Sequence, residues 1–245
     1  RLEGELQMDR HEGNWHLSPT GICIDDQRFN FALHLRPRPE KELILTVANS
    51  ETDYEATLAL LPKNLRVQLA KHYVGGHFPV HASVVSSLER GVDPLVNVNF
   101  ELAGHDARSQ AYDFRELHTK GLFVNHLEAR EGGIPGSKKN FRITLDSSRG
   151  YQGKLYVELP YGVIRGTATD VRLEAPLRIT GPATDINQRV GTRDFIFERG
   201  RFTLATRVNA SLNSMEEIIQ TSDGTLSLKN LGVLYRPAGV RFPFR

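Results

Sequence analysis

The sequence predicts a mainly β protein in which an antiparallel strand array curls into a groove, as a taco-shaped sheet does. Three observations predict this fold class. Apolar and polar residues alternate with a period of two along most of the 245 residues, which is typical of strands that bury one face. Turn-forming Gly and Pro separate the alternating runs, and only two segments follow a helical period. We expect residues 1–245 to form a single elongated β-rich region.

Alternating runs define the strands in chain order. Their apolar positions span Phe29–Leu35, Leu43–Val47, Val96–Leu102, Phe141–Leu145, Leu155–Leu159, Phe202–Val208 and Leu226–Leu228. The turn signals between them are Gly75-Gly76, Asp93-Pro94, Gly132-Gly133, Gly181-Pro182 and Asp223-Gly224. After Leu228 the apolar phase changes to Leu231, Val233 and Tyr235, which predicts a bulge or a tight turn near Asn230.

Two segments follow a helical period instead. One helix face carries five residues spaced three or four apart: Leu58, Leu61, Leu65, Leu69 and Tyr73. With Pro62 in the first turn and Gly75 after the end, this pattern predicts an amphipathic helix over about residues 62–74. Ser214 and Glu217 form a capping-box pattern, which predicts a short helix over about residues 214–220. We expect both helices to cover part of the sheet.

The charge pattern disfavours a nucleic-acid partner. Lys and Arg number 31 and Asp and Glu 29, so the net charge is only +2, and no basic stripe is present. The nearest candidate, Arg36-Pro37-Arg38-Pro39, is predicted to be a turn after a strand because of its prolines. Cys23 is the one cysteine. Because it lies in an apolar run without a neighbouring base, we predict a buried small hydrophobe.

The sequence contains no motif for catalysis, metal binding or a cofactor. His77 and His81 have a spacing that binds metal on a helix. Gly76 and Pro79 predict a strand there, on which four residues span about 13 Å. The loop 132–139 lacks the spacing of a phosphate-binding loop. We therefore predict no catalytic residue, no metal and no cofactor, with a sugar-cleaving sheet of distant carboxylates as an alternative.

The order of features resembles a known family. The segments that carry the resemblance are Leu60–Leu65, Gly76–Val84, Gly91–Pro94, Leu95–Phe100, Tyr151–Ala168 and Glu198–Pro237. They read as a leucine-leucine-proline helix start, a glycine-led strand, a proline turn, a strand and then strand pairs with glycine turns. In this order the chain resembles the AsmA-like family of Gram-negative envelope proteins, particularly the Bacteroidetes type, and is similar to TamB-related proteins.

The resemblance implies a non-enzymatic protein of outer-membrane biogenesis. It implies a periplasmic location and attachment to the inner membrane through a helix that this chain lacks, so that membrane contact lies in parts outside it. Because the chain begins at Arg1 and ends at Arg245 within strand-like patterns, we expect a fragment of a longer protein. The likeness extends to bridge-like lipid-transfer proteins, which implies phospholipid as a partner beside other envelope proteins.

A sheet of this kind would lower the cost of exposing lipid to water. Exposing a CH2 group to water costs about 0.8 kcal/mol of free energy, so the two acyl chains of a phospholipid, each of about sixteen carbons, cost roughly 25 kcal/mol. Each alternating strand supplies one apolar side to a shared surface. The predicted lipid-groove residues are Val98, Phe100, Phe141, Ile143, Leu155, Val157, Phe202, Leu204, Val208, Leu226 and Leu228.

Three alternatives stay open at this point. The same alternation builds an ordinary closed β-sandwich core. A scaffolding or protein-binding module would instead offer an open strand edge to a partner strand. A carbohydrate-binding sandwich would need an aromatic platform, which is the weakest alternative because Trp15 is the one Trp and the seven Tyr are dispersed.

Overall fold

The alternating runs become strands of one antiparallel sheet in the computed structural model of the chain. The structure describes residues 2–3, 7–24, 27–37, 41–60, 66–67, 70–89, 93–109, 112–127, 140–167, 169–187, 194–211 and 223–244. The predicted fold class, a mainly β antiparallel array with few helices, is confirmed.

Sixteen strands lie within the described residues. They are β1 Leu2–Glu3, β2 Met8–His11, β3 Asn14–Ile24, β4 Gln27–Arg36, β5 Glu42–Asp53, β6 His72–Val74, β7 His77–Ser87, β8 Leu95–Ser109, β9 Asp113–Val124, β10 Phe141–Gln152, β11 Leu155–Leu159, β12 Gly162–Gly166, β13 Val171–Pro182, β14 Phe195–Ser211, β15 Asp223–Tyr235 and β16 Val240–Pro243. The strand order is β1-β3-β4-β5-β7-β8-β9-β10-β11-β13-β14-β15-β16. Beside this path, β2 pairs with β3, β6 pairs with β8, and β12 pairs with both β10 and β13.

A described helix precedes the predicted one. Helix α1 spans Tyr54–Leu60, and the Ala56 N–H donates to the Asp53 carboxylate at 2.7 Å, which caps the first turn. Within the part of the chain that the structure describes, two short 3-10 helices span Ala183–Asp185 and Arg236–Ala238. The predicted short helix at about 214–220 lies outside the described residues.

The predicted helix over about 62–74 is wrong at its C-terminal end. Residues 66–67 are helical, whereas 61–65 and 68–69 lie outside the described residues. His72–Val74 form strand β6, paired with Ala107–Ser109 of β8. The Gly75 N–H extends this contact by donating to the Asp106 carbonyl at 2.8 Å. The long strand β8 offers unpaired backbone groups here, and pairing with them outweighs the local helical period.

The two faces of the sheet differ in chemistry. Residues paired directly across neighbouring strands share a face. One row of such partners crosses nine strands, from β4 to β14: Phe31, Val47, Ala82, Val98, Phe123, Ile143, Ile164, Leu173 and Ala210. We call this side the apolar face. At about 4.8 Å between neighbouring strands, the row is roughly 38 Å long.

The opposite side carries mostly polar and charged residues, and we call it the polar face. The row shifted by one residue reads Ala32, Thr46, Ser83, Asn97, Val124, Arg142, Arg165, Arg172 and Ser211. Cys23 also lies on this face, opposite Arg28, and is exposed. The prediction that Cys23 is buried is therefore wrong, because its apolar neighbours Ile22 and Ile24 occupy the other face of β3.

A register shift between β14 and β15 keeps the apolar residues of β15 on the apolar face on both sides of Asn230. Asn230 has φ 52° and Gly200 has φ 115°, and the β14–β15 pairing shifts register between residues 197 and 201. The shift returns Leu231 and Val233 to the apolar face, where Ile186 packs against both the Leu231–Val233 cluster and the Phe202 cluster. The predicted bulge near Asn230 is confirmed.

The apolar face is covered only in part. Among the described residues, buried apolar side chains form two small clusters, one around Leu155, Val157 and Phe202 and one around Ala183, Leu231 and Val233. The two strands at the ends of the order, β1 and β16, pair with β3 and β15 and not with each other, so the described strands form an open sheet.

Candidate functional site

The eleven predicted lipid-groove residues all lie on the apolar face. Val98 and Ile143 belong to the nine-strand row. The other nine occupy positions of the same alternation or are direct partners of such positions: Phe100, Phe141, Leu155, Val157, Phe202, Leu204, Val208, Leu226 and Leu228. Period-two alternation is a local property of each strand, which is why the sequence assigns the face without knowing the strand order.

Their burial divides these residues into two groups. Leu155, Val157, Phe202 and Val208 are buried, with Val208 only 2% exposed. The remaining residues are half-buried or exposed, and Leu226 reaches 56%. The first group packs as a protein core, whereas the second presents accessible apolar surface.

A concave groove of about 320 Å³ opens on the apolar face between β8 and β12. Three predicted residues line it, namely Phe100, Ile143 and Val157. Its other apolar lining residues, which the prediction did not name, are Val74, Leu102, Ala107, Phe114, Leu117, Leu145, Leu159 and Ile164. Most of them follow the same alternation, so that signal was present in the sequence. The lining by residues of several neighbouring strands indicates that the sheet curves around this space.

A hydroxyl pair forms a polar spot in the groove. Thr119 and Ser148 are both buried, and their hydroxyl oxygens lie 2.7 Å apart in a hydrogen bond. They are direct partners in the β9–β10 pairing. Because one hydroxyl donates to the other, both oxygens have a hydrogen-bond partner, and the groove gains two polar residues without an isolated buried polar group that would disfavour an apolar ligand.

One end of the groove is bounded by Tyr112. Tyr112 lines it beside Val74 of β6, and its hydroxyl lies 3.0 Å from His72 Nδ1. Burial raises the pKa of Tyr112, although a hydrogen bond with Ser109 acts in the opposite direction. The pKa of Tyr54 in α1 is also raised, first by burial and then by the charge of Tyr112. Tyr112 thus places one amphipathic side chain at this end.

The described residues hold no group of three or more His, Cys, Asp or Glu side chains that could bind a metal ion. His77 and His81 both lie in β7, a strand as expected from Gly76 and Pro79. Sequence reasoning did not find the contact between His16 and His34, whose Nδ1 atoms are 2.7 Å apart. That contact depends on the register of β3 against β4.

The described residues include no helix of sufficient length and hydropathy to cross a membrane. Comparison with known proteins gives no family model, no curated protein and no solved structure that matches the chain.

Proposed function

We propose that this chain is a non-enzymatic, AsmA-like part of a periplasmic envelope protein that shields phospholipid acyl chains in its β groove. It contributes in this way to outer-membrane biogenesis and is attached to the inner membrane through a segment outside the chain. The observation that carries the proposal is the nine-strand row from Phe31 to Ala210, in which every member is apolar.

Two features of the row favour a mobile acyl ligand over a self-filled core. Most of its members are only partly buried, including Phe31, Val98 and Ile143. The row is also continuous across neighbouring strands, so an acyl chain moving along it keeps apolar contact at every step. Because each exposed CH2 costs about 0.8 kcal/mol, an interruption of a few positions would create a barrier to that movement.

The decisive experiment places a charge on the exposed end of the apolar face. Leu226 is 56% exposed on that face, and its neighbour Ser227, also exposed, lies on the polar face opposite Thr203. We expect phospholipid to co-purify with the wild type and with Ser227→Asp, as measured by native mass spectrometry of protein purified from cells. Leu226→Asp should remove most of that lipid.

Two results would overturn the lipid function. One is a wild-type protein without bound lipid, together with no lipid adduct when a photoreactive amino acid replaces Leu226. The other is equal lipid content in Leu226→Asp and Ser227→Asp. Far-UV circular dichroism of both variants checks that the sheet is intact, and since both side chains are exposed, neither change should unfold it.

A scaffolding function is the second candidate, favoured by the edge strand β16. This strand is last in the strand order and pairs only with β15 among the described strands. Its side chains Val240 and Phe242 are 42% and 43% exposed, so a partner strand could add there. A photoreactive amino acid at Phe242 that captures protein, with none at Leu226 that captures lipid, would favour scaffolding.

A further inference from the structure

His16 and His34 form a close imidazole pair on the polar face, on the opposite side of the sheet from the groove. They are direct partners in the β3–β4 pairing. Their Nδ1 atoms lie 2.7 Å apart, and the two ring planes meet at 79°. Both side chains are half-buried. The proposed lipid function does not use this pair.

The space between the two nitrogens can hold either a proton or a metal ion. When one ring carries its proton on Nδ1, the pair forms an N–H···N hydrogen bond. When both rings carry it on Nε2, two lone pairs converge on one point, and a cation is needed between them. A tetrahedral ion bound at 2.0–2.1 Å holds its nitrogens about 3.4 Å apart. The rings therefore need to separate by about 0.7 Å, which small side-chain rotations supply.

Two polar neighbours of the histidine pair, Asp9 and Asn14, lie on the same face. A hydrogen bond between the two imidazoles would not require either of them. Asp9 of β2 is the backbone partner of His16 and is exposed on the same face, although it does not complete a group of three metal ligands with the two histidines. Asn14 lies two residues before His16, and its Oδ1 is buried without a hydrogen-bond partner. A buried unpaired acceptor costs about 1–3 kcal/mol. A water bound to an ion at the histidine pair would donate to such an acceptor.

We propose that His16 and His34 bind a divalent transition-metal ion through their Nδ1 atoms. The two imidazoles are the only protein ligands among the described residues, water completes the coordination, and Asn14 Oδ1 accepts a hydrogen bond from a bound water, while Asp9 adds negative charge to the same face without binding the ion. Imidazole ligands select Zn²⁺, Cu²⁺ or Ni²⁺ over Mg²⁺ and Ca²⁺, with Cu²⁺ bound most tightly of the first-row series. With two protein nitrogens the site is open and exchangeable, unlike a four-ligand structural zinc site.

The test titrates the untagged chain with Cu²⁺ and, separately, with Zn²⁺. We expect one equivalent to bind by isothermal calorimetry, with a Cu²⁺ electron paramagnetic resonance spectrum that shows coupling to two nitrogens. His16→Gln and His34→Gln should each reduce the spectrum to one-nitrogen coupling. Loss of an outer partner alone weakens metal binding about 10- to 100-fold, so loss of either imidazole should weaken it at least that much.

His118→Gln is the matched control, because His118 is exposed on the same face and lies opposite Ala103 and Arg149 rather than another histidine. The His118→Gln variant should bind Cu²⁺ and Zn²⁺ with the same affinity as the wild type. The proposal is overturned if His16→Gln and His34→Gln bind the ion as tightly as His118→Gln does, or if the wild type shows no two-nitrogen coupling. Lipid content measured on the same variants separates this site from the groove, because the histidine variants should retain lipid.

Discussion

Phe202 and Leu228 are direct cross-strand partners on the apolar face, yet Phe202 is 8% exposed and Leu228 is 39% exposed. The change from filled core to open surface therefore lies between β14 and the N-terminal half of β15, whereas Leu231 and Val233 further along β15 are buried. On the β13 side, Phe202 packs with Leu155 and Val157. On the β15 side, the next strand β16 pairs only with residues 232–235 and leaves Leu226 and Leu228 uncovered. Beside the groove between β8 and β12, the apolar face therefore offers a second accessible apolar surface at Leu226 and Leu228.

Truncating one residue in the filled core and one on the open surface should give opposite results. Val208 is 2% exposed opposite Ala175, which is 1% exposed. Val208→Ala removes two buried carbons and leaves a cavity, so we expect the free energy of unfolding to fall by about 2–3 kcal/mol. Leu226→Ala should change it by less than about 0.5 kcal/mol. Urea unfolding of both variants measures this, and equal losses would place Leu226 in the core.

Gly200 should tolerate no side chain. Its φ is 115°, and an added Cβ would lie 2.9 Å from the Lys229 carbonyl oxygen. We expect Gly200→Ala to lower the free energy of unfolding by about 2–4 kcal/mol, from backbone strain together with that clash. Gly153→Ala is the control, because Gly153 also has a positive φ of 63° but has nothing within 4 Å of an added Cβ. It should cost only about 1 kcal/mol. Equal costs would show that the clash is relieved by a shift of β15.

How far the sequence predicts this structure depends on the range of each interaction. The face of Leu204 or Ile143 follows from its own strand, so the alternation assigns it correctly. The bulge at Asn230 is likewise visible as a change of phase. Tyr73 fits a helical period but lies in β6 opposite Arg108, and the sequence contains no local sign of that distant partner. A residue's face is thus predictable, whereas its cross-strand neighbour depends on register.

The candidate sites show the same limit. The sequence identifies apolar residues such as Phe100 and Val157 but not which of them form the groove, because that depends on where the sheet curves. The pair formed by His16 and His34 is separated by 18 residues, and a slip of one residue in the β3–β4 register would move it apart. Burial is likewise set by neighbouring strands, so the difference between Phe202 and Leu228 has no local signal.

The Thr119–Ser148 hydrogen bond should show strong coupling in a double-mutant cycle. Thr119→Val leaves the buried Ser148 hydroxyl without its partner, and Ser148→Ala does the same to Thr119, so each change should cost about 1–3 kcal/mol. The double variant removes both polar groups and should cost less than the sum of the two single changes. Additive losses in urea unfolding would mean that the two hydroxyls have other partners.

Raised tyrosine pKa values should make the fold less stable at alkaline pH. Burial raises the pKa of Tyr112 above its ordinary value of 10.0, so above that pH the unfolded chain loses the phenol proton before the folded chain does. The unfolded state then binds fewer protons, and the free energy of unfolding falls as pH rises through the folded-state pKa. Tyr112→Phe should reduce this fall and remove one late-titrating phenol from the ultraviolet absorbance. It should also shift the titration of Tyr54 downward, because the charge of Tyr112 contributes to raising the pKa of Tyr54. An unchanged alkaline slope in Tyr112→Phe would show that Tyr112 titrates alike in the folded and unfolded chain.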